Sequence, residues 1–325
     1  MMRLSANVGL MALALALSAL AGKYGFAWQQ KATSAAQRPK QPALESKPSR
    51  IISTEYNVNE MLVDLVEPER ILALSQDADN PGLCNILERT ARIPGRVAST
   101  PIRAEQILAL DPDVVFVGAS CPAETVRLLE LSRARVVRIN RGYTIAEIQE
   151  NIRLVGDTVG EPARAQALID EMNRQLAAVR AKVAGAPPPR ALYIGSGYGY
   201  TAGIGTYTDE LLQAAGARNA AREAGVEAWG KITLETVIEM DPDVIFVPDT
   251  GGRAHGAVGR RYVVPPKPLE KDPLWQDVRA VKTGRVVTLP PRLLMCNSHY
   301  NVRAAWAMAR ALHPDRFEDK THDAP

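Results

Sequence analysis

A sixteen-residue segment occurs twice in this chain, 130 positions apart. Residues 102–117 read IRAEQILALDPDVVFV and residues 232–247 read ITLETVIEMDPDVIFV, with eight identical positions. Each copy predicts a short amphipathic helix, a break at Asp-Pro-Asp and a buried strand, because proline disfavours helical backbone in the residue before it. The strands are apolar on both faces, which is typical of parallel strands covered by helices on both sides.

The separation of the two copies indicates two similar lobes. Solenoid repeats have periods of at most about 50 residues, and 325 residues leave room for two domains of about 100–150 residues each. We therefore predict an α/β fold with two similar lobes. Each lobe is a small parallel sheet flanked by helices, one long helix joins the lobes, and a ligand cleft lies between them.

The sequence divides accordingly into six segments. They are a signal peptide (1–21), a disordered spacer (22–49), an N-terminal lobe (50–143), a helical linker with the long inter-lobe helix (144–185), a C-terminal lobe (186–317) and a tail (318–325). A single stiff helical connection predicts that the lobes rock by small angles.

The N-terminal segment indicates export. Arg3 precedes an apolar stretch from Leu4 to Ala21 that ends in the small-x-small pattern of a signal-peptidase site. An uncleaved membrane anchor is the alternative, because the stretch is close to spanning length. Residues 22–49 are rich in Gln, Lys, Pro, Ala and Ser, as disordered tethers are. Under either interpretation the globular part is expected outside the cytoplasm.

Composition argues against nucleic acid and against a metal held by the protein alone. The net charge is only +3, aromatic residues make up 5%, and no Lys/Arg run exceeds the pair Arg260–Arg261. With four histidines and no Cys-x-x-Cys or His-x-x-x-His spacing, we expect no metal bound by protein ligands alone.

The three cysteines leave one pairing open. Cys84 and Cys121 both follow probable strands of the first lobe. In an exported protein they either form a disulfide or serve as small apolar residues.

Motifs for cofactor binding and catalysis are missing from the sequence. The G-x-G-x-G run at Gly195–Gly199 follows a probable strand but lacks dinucleotide-binding spacing and the acidic residue that should follow. No nucleophile elbow, phosphate-binding loop or His-Glu-x-x-His is present. We therefore expect no cofactor and no catalytic residues.

Four sequence features together resemble one protein family. They are the doubled helix–Asp-Pro-Asp–strand segment, WQDVRAVKTGRVVTL at 275–289, ALHPDRF at 311–317 and LLQAAGARN at 211–219. The chain resembles, over about residues 50–317, the periplasmic binding proteins of ABC importers for ferric siderophores, haem and cobalamin. The resemblance implies a monomer that captures a metal chelate between its lobes and delivers it to a dimeric permease in the inner membrane.

The same resemblance implies two docking residues. Family members present one glutamate per lobe to arginines on the two permease subunits, and the matching positions are Glu105 and Glu235. Both glutamates sit near a predicted helix start, where the helix dipole favours a carboxylate. The alternative is that they are ordinary surface glutamates, but their identical placement in both copies favours docking.

The expected ligand contacts lie at the carboxyl ends of the strands, where parallel α/β sheets bind their ligands. They are Tyr56, Ser99, Thr100, Ser120, Cys121, Tyr198, Tyr200, Thr250, Arg260, Arg261, Tyr262, Arg292 and His299.

Three groups of these residues have alternative interpretations. Tyr198 and Tyr200 either stack on a macrocycle or ligate haem iron, or are ordinary loop residues. Arg260 and Arg261 either pair with ligand carboxylates or are solvated. His299 either coordinates a metal centre, or caps or packs a helix.

Two further functional hypotheses stay open, together with the identity of the chelate. An exported α/β enzyme would use the same cleft, and a binding module of a signalling receptor would not need the two glutamates. Ser99 and Thr100 stand where a stacking tryptophan is expected in a cobalamin binder, which weakens that ligand.

Overall fold

Among the residues that the structure describes, the strands form two parallel sheets and one small antiparallel pair. The computed structural model describes residues 47–195, 199–249 and 269–317. The strands are β1 (Ile51–Ser53), β2 (Ile71–Ser75), β3 (Arg96–Val97), β4 (Val114–Gly118), β5 (Arg135–Ile139), β6 (Arg190–Tyr193), β7 (Tyr200–Ala202), β8 (Arg218–Asn219), β9 (Trp229–Lys231), β10 (Val244–Pro248) and β11 (Val286–Leu289).

The helices surround these sheets. They are α1 (Tyr56–Leu65), α2 (Leu87–Thr90), α3 (Ala104–Leu108), α4 (Ala123–Glu130), α5 (Ile145–Val159), α6 (Pro162–Lys182), α7 (Tyr207–Ala214), α8 (Ala220–Glu223), α9 (Leu234–Met240), α10 (Arg279–Lys282), α11 (Pro291–Leu294) and α12 (Val302–Leu312). Short 3-10 turns lie at Pro68–Arg70, Gln76–Asp79, Leu269–Lys271, Pro273–Trp275, His299–Asn301 and Pro314–Phe317.

The two copies of the repeated segment occupy equivalent places in the two parallel sheets. The strand order is β3-β2-β1-β4-β5 in the first lobe and β11-β10-β6-β8 in the second. In each sheet the strand of the repeat, β4 or β10, lies between the first strand of its lobe and the last. The predicted fold class of two α/β lobes with small parallel sheets is therefore confirmed.

The Asp-Pro-Asp break ends a helix and anchors a neighbouring strand in the first lobe. Asp111 takes up left-handed backbone (φ 49°) after α3, a conformation that aspartate tolerates better than most residues. The carboxylate of Asp113 then accepts hydrogen bonds from the backbone N–H groups of Ser49 and Arg50, both at 3.0 Å. The backbone N–H of Asp113 donates to the carbonyl of Arg50, so the start of β4 is fixed to the start of β1.

The second lobe repeats this arrangement. Asp241 is also left-handed (φ 41°), and the carboxylate of Asp243 accepts from the backbone N–H of Arg190 at 2.8 Å. Arg279 forms ion pairs with both aspartates. In each lobe one aspartate therefore replaces the missing backbone partner at the start of the first strand.

The connection between the lobes consists of two consecutive helices, α5 and α6. Gly160 ends α5 in left-handed backbone (φ 76°), and Pro162 opens α6 at a position where no backbone N–H is needed. The pair Glu161-Pro162 marks this start in the sequence. The apolar side chains at helical spacing along α6 are buried at Ala165, Ile169, Met172, Leu176 and Val179 and partly buried at Leu168.

One apolar cluster runs without interruption from the first lobe through these helices into the second. It includes Val58 and Leu62 of α1, Ile152 of α5, Met172 of α6, Leu211 of α7, Phe246 of β10 and Met308 of α12. Smaller clusters fill the outer face of each sheet. The inner halves of the two lobes therefore share one core, which agrees with lobes that rock by small angles.

One alternative left open by the sequence is decided in the fold, and one element was not predicted. Cys84, Cys121 and Cys296 are buried free thiols, so the disulfide between Cys84 and Cys121 is not formed. Cys121 packs in the outer core of the first lobe among Val117 and Val126. The antiparallel pair of β7 and β9 was not predicted, because three-residue strands carry no readable periodicity.

The predicted signal peptide and the C-terminal tail lie outside the described residues, as does nearly all of the spacer. Among the residues that the structure describes, none of the helices combines the length and the apolar character needed to cross a membrane.

The aspartate anchor predicts the effect of a single substitution. Asp113→Ala leaves the N–H groups of Ser49 and Arg50 without their acceptor and should lower the free energy of unfolding by about 1–2 kcal/mol. Asp113→Asn keeps a side-chain acceptor and should cost less. Urea denaturation measures both, with Asp157→Ala on the exposed face of α5 as the control. Equal stabilities of Asp113→Ala and the control would contradict the anchoring role.

Candidate functional site

A cavity of about 250 Å³ lies between the two lobes, at the carboxyl ends of the first-lobe strands. Such edges are where parallel α/β sheets bind their ligands. The first lobe supplies loops after β1, β4 and β5, and the second supplies side chains from α7, β9 and the segment after α11. The lining residues are Glu55, Tyr56, Asn57, Gly118, Ala119, Ser120, Ile139, Asn140, Arg141, Gly142, Tyr143, Tyr207, Trp229 and Asn297.

Glu55 is the acidic residue of this lining. It follows β1, and its carboxylate lies directly over the α-carbon of Gly118. A methyl group added there would be 2.2 Å from Glu55 Oε1, so only glycine permits this approach. Burial, reinforced by the nearby charge of Asp77, raises the pKa of Glu55 to about 7, against the lowering by the Gly118 N–H and Arg141. The cavity therefore holds a carboxyl group that changes its charge near neutral pH.

Arg141 balances Glu55 and connects the lobes. It follows β5, its side chain is exposed, and its charge acts on Glu55. The carbonyl of Arg141 accepts a hydrogen bond from Asn297 Nδ2 of the second lobe at 2.7 Å. Asn297 Oδ1 is buried and has no hydrogen-bond partner among the described residues. The described part of the lining thus carries one carboxyl group, one guanidinium group and an amide oxygen that can accept a hydrogen bond.

Aromatic rings form the other part of the wall. Trp229 packs edge-on against Tyr207 and Tyr193, with ring centroids 6.2 Å and 5.8 Å apart. The Tyr207 hydroxyl donates to the carbonyl of Leu294 at 3.2 Å. Burial raises the pKa of Tyr207 well above its usual value. Its phenol is therefore neutral at neutral pH, and its ring contributes apolar surface to the wall.

The structure brings two of the predicted ligand contacts into this cavity. Tyr56 and Ser120 line it. Tyr200 is exposed on β7 and Arg292 lies on α11, and neither lines the cavity. Ser99 lies beside the carboxylate of Asp77, while Thr100 is exposed.

Two predicted contacts are corrected. Cys121 is buried in the outer core of its lobe and does not face the cavity. The imidazole Nε2 of His299 lies 2.9 Å from Asp64 Oδ2 on α1, so this side chain packs against the first lobe and does not line the cavity. Tyr198, Thr250, Arg260, Arg261 and Tyr262 lie outside the described residues.

Sequence reasoning did not single out Glu55, Arg141, Tyr207, Trp229 or Asn297, although Glu55 and Asn297 lie in loops expected to line the cleft. Glu55 and Arg141 carried a usable signal, because each follows a predicted strand within two residues. Trp229 carried none, since it belongs to the unpredicted antiparallel pair. Within the described ranges, no three His, Cys, Asp or Glu side chains are close enough together to hold a metal ion.

The two predicted docking glutamates occupy equivalent positions. Glu105 is the second residue of α3 and Glu235 the second residue of α9, and both side chains are exposed. The Thr233 hydroxyl holds the pKa of Glu235 below its usual value. On the opposite face of α3, Ile107 is buried and Leu108 partly buried, as the helical pattern predicted.

A profile of periplasmic binding proteins matches residues 51–293 of this chain. The chain belongs to the periplasmic binding protein family. This periplasmic binding protein is 23% identical over 284 residues to an uncharacterized ABC transporter substrate-binding lipoprotein, YvrC, of Bacillus subtilis, covering 85% of this chain and 83% of that protein. It is 25% identical to a cobalamin-binding protein of Halobacterium salinarum, covering 79% and 71%.

A solved structure with the same fold is a periplasmic haem-binding protein, RhuT, from Roseiflexus sp. RS-1 in its apo form. The TM-score is 0.65, with 26% identity, covering 82% of this periplasmic binding protein and 99% of that one. These relatives are solute-binding proteins.

The carboxyl group of Glu55 predicts a pH dependence of stability. Its folded-state pKa of about 7 exceeds its unfolded value of 4.5, so the folded protein binds more protons and loses stability as pH rises between these values. Glu55→Gln should remove this dependence. Between pH 5 and pH 8 the wild type should therefore lose about 2 kcal/mol of stability relative to the variant.

Urea unfolding at the two pH values measures this shift. Glu124→Gln on the exposed start of α4 is the matched control and should show no change. An equal pH dependence in wild type and Glu55→Gln would show that Glu55 titrates normally in the cavity.

Proposed function

We propose that this protein is the periplasmic solute-binding component of an ABC importer. It captures a metal chelate (a ferric siderophore, haem or cobalamin) between its lobes and delivers it to a dimeric permease. The observation that carries the proposal is the cavity at the carboxyl ends of the first-lobe strands, lined by both lobes. Membership of the periplasmic binding protein family supports it.

The chemistry of the cavity agrees with a large, weakly charged ligand. Tyr56, Tyr207 and Trp229 offer ring surfaces for the face or edge of a macrocycle. Arg141 balances the charge of Glu55 when that carboxyl group is ionised, and Asn297 Oδ1 is an acceptor without a partner among the described residues. A chelate with an apolar body and a few polar substituents matches this combination. The relatives named as binding cobalamin and haem carry ligands of that kind.

Catalysis is the competing hypothesis, and one residue favours it. The pKa of Glu55, about 7, suits a general base. Of the two histidines that the structure describes, His299 is bound to Asp64 and His313 lies 3.3 Å from the carbonyl oxygen of Gly216. Neither lines the cavity, so none of the described histidines lies beside Glu55. We propose a non-catalytic role, and turnover of a candidate substrate that Glu55→Gln abolishes would overturn it.

The docking proposal depends on the paired geometry of Glu105 and Glu235. The helices α3 and α9 precede equivalent strands of equivalent sheets. The two carboxylates therefore lie at equivalent positions, one on each lobe. A dimeric permease likewise presents each of its surfaces twice. One exposed carboxylate per lobe therefore fits one cationic site per permease subunit.

Ligand binding can be tested with four probes by isothermal titration calorimetry. Haemin, cyanocobalamin, a ferric hydroxamate and a ferric catecholate siderophore are each titrated into the purified protein. We expect one of them to bind with micromolar or tighter affinity. Weaker binding of all four would contradict the proposal.

Trp229→Ala tests whether the bound ligand occupies the described cavity. Loss of this ring should weaken binding of the best probe about tenfold, equivalent to about 1.4 kcal/mol. Trp306→Ala is the matched control, because Trp306 is half-buried on α12 and donates to Gln175, away from the cavity. Equal losses in both variants would place the ligand elsewhere.

Charge reversal tests docking separately from capture. Glu105→Lys with Glu235→Lys should abolish ligand uptake into cells while leaving the calorimetric affinity unchanged, because neither residue lines the cavity. The double variant Glu150→Lys with Glu227→Lys changes the net charge equally at exposed positions and should retain uptake. Loss of affinity in the first variant, or loss of uptake in both, would contradict the docking role.

A further inference from the structure

Three side chains of α1 point at one segment of the second lobe. Tyr56, Glu60 and Asp64 are spaced four residues apart, which places them on one face of the helix. Opposite them runs the segment Met295–Tyr300, between α11 and α12. We call these three side chains and this segment the inter-lobe seam.

Both ends of the seam are hydrogen-bonded across the lobes. At one end the Tyr56 hydroxyl donates to the carbonyl of Met295 at 2.9 Å. At the other, Asp64 Oδ2 lies 2.9 Å from His299 Nε2 and accepts from the Tyr300 hydroxyl at 2.8 Å. Although burial raises the pKa of Asp64, its hydrogen bond and charge interaction with His299 bring it down to about 2, so this carboxylate is ionised at neutral pH.

Glu60 forms the centre of the seam and is almost completely buried, with 2% of its surface exposed. Its Oε2 accepts a hydrogen bond from the Ser298 hydroxyl and lies 3.5 Å from Cys296 Sγ. Its Oε1 accepts from the backbone N–H and the side-chain amide of Asn85, at 2.8 and 2.9 Å. A single buried carboxyl group thus holds a first-lobe loop and the second-lobe segment together.

The surroundings of Glu60 shift its pKa. Burial raises the pKa, against lowering by hydrogen bonds from Ser298 and Asn85 and by the charge of His299. The titratable groups that interact with Glu60 are Tyr56, Cys84, Cys296 and His299. Replacing Glu60 with an apolar residue leaves Ser298 and Asn85 without their hydrogen-bond acceptor, which is destabilising.

The seam is continuous with the ligand cavity. Tyr56 lines the cavity on one side and holds Met295 on the other. Asn297, which donates to the carbonyl of Arg141 at the cavity wall, stands between the two residues that contact Glu60, Cys296 and Ser298. A displacement of this segment therefore moves Asn297 and changes the width of the cavity.

We propose that Glu60 is a positioning residue that fixes the second lobe against the first. It holds Met295–Tyr300 on α1 and thereby sets the separation of the lobes and places Asn297 in the cavity wall. The inference concerns the protein without ligand and does not depend on which chelate is bound.

Distance measurement by pulsed electron spin resonance tests this inference. Spin labels are attached to Glu130→Cys on α4 and Glu239→Cys on α9, both exposed and one on each lobe. The three native cysteines are buried, so they should escape labelling. The distribution of label–label distances then reports the relative position of the lobes.

Glu60→Leu should shift the mean distance, or widen the distribution, by about 2 Å. Glu60→Gln should retain the narrow wild-type distribution, because its amide oxygen accepts from Asn85 and its amide nitrogen donates to Ser298. If Glu60→Leu does not fold, Ser298→Ala removes one inter-lobe bond and should widen the distribution to a smaller extent.

Asp209→Asn is the matched control. Asp209 is also a buried carboxylate, but its partners Asn219, Arg222 and Gln213 all lie in its own lobe. This variant should lose stability without changing the distance distribution. An unchanged distance distribution in Glu60→Leu would overturn the proposal. If Glu60→Leu is unfolded, an unchanged distribution in Ser298→Ala would overturn it instead. A change in Asp209→Asn equal to that in the seam variants would also overturn it.

Discussion

In each lobe an aspartate carboxylate accepts hydrogen bonds from the backbone at the start of a neighbouring strand, and these bonds constrain how the strands are placed. In the first lobe Asp113 accepts from Ser49 and Arg50, and in the second Asp243 accepts from Arg190. Each bond fixes the strand of the repeated segment beside the first strand of its lobe. The parallel register then determines where the carboxyl ends of the strands lie, and therefore where loops can meet a ligand. The same register places α3 and α9, with Glu105 and Glu235, at equivalent positions.

The site itself arises from contacts that cross between elements distant in the chain. The pKa of Glu55 is raised because its carboxyl group is buried and lies near the charge of Asp77, although the backbone N–H of Gly118, at the end of another strand, lowers it. Trp229 reaches the cavity because β9 pairs with β7. Since the inner core is continuous through α5 and α6, these first- and second-lobe contributions are held in one arrangement. A shared core suits a receptor that closes slightly on its ligand.

Sequence reasoning predicted those parts of the fold whose determinants are local. The Asp-Pro-Asp break gives both helix ends, and Pro162 gives the start of α6, because proline restricts the backbone around it. The ligand contacts were predicted less completely, since a strand end indicates an edge of the sheet but not which side chain turns inward. His299 shows the limit most clearly. Its partner Asp64 lies on the other lobe, and its local sequence contains no sign of that contact.

The central claim is that the inter-lobe cavity holds one metal chelate at a time for transfer to a permease. Native mass spectrometry tests it directly, by presenting the protein with an equimolar mixture of haemin, cyanocobalamin and two ferric siderophores. The account predicts a complex with one bound chelate of a single kind, which Trp229→Ala reduces in abundance. A spectrum of unbound protein alone, or of all chelates bound to similar extents in both proteins, would contradict it.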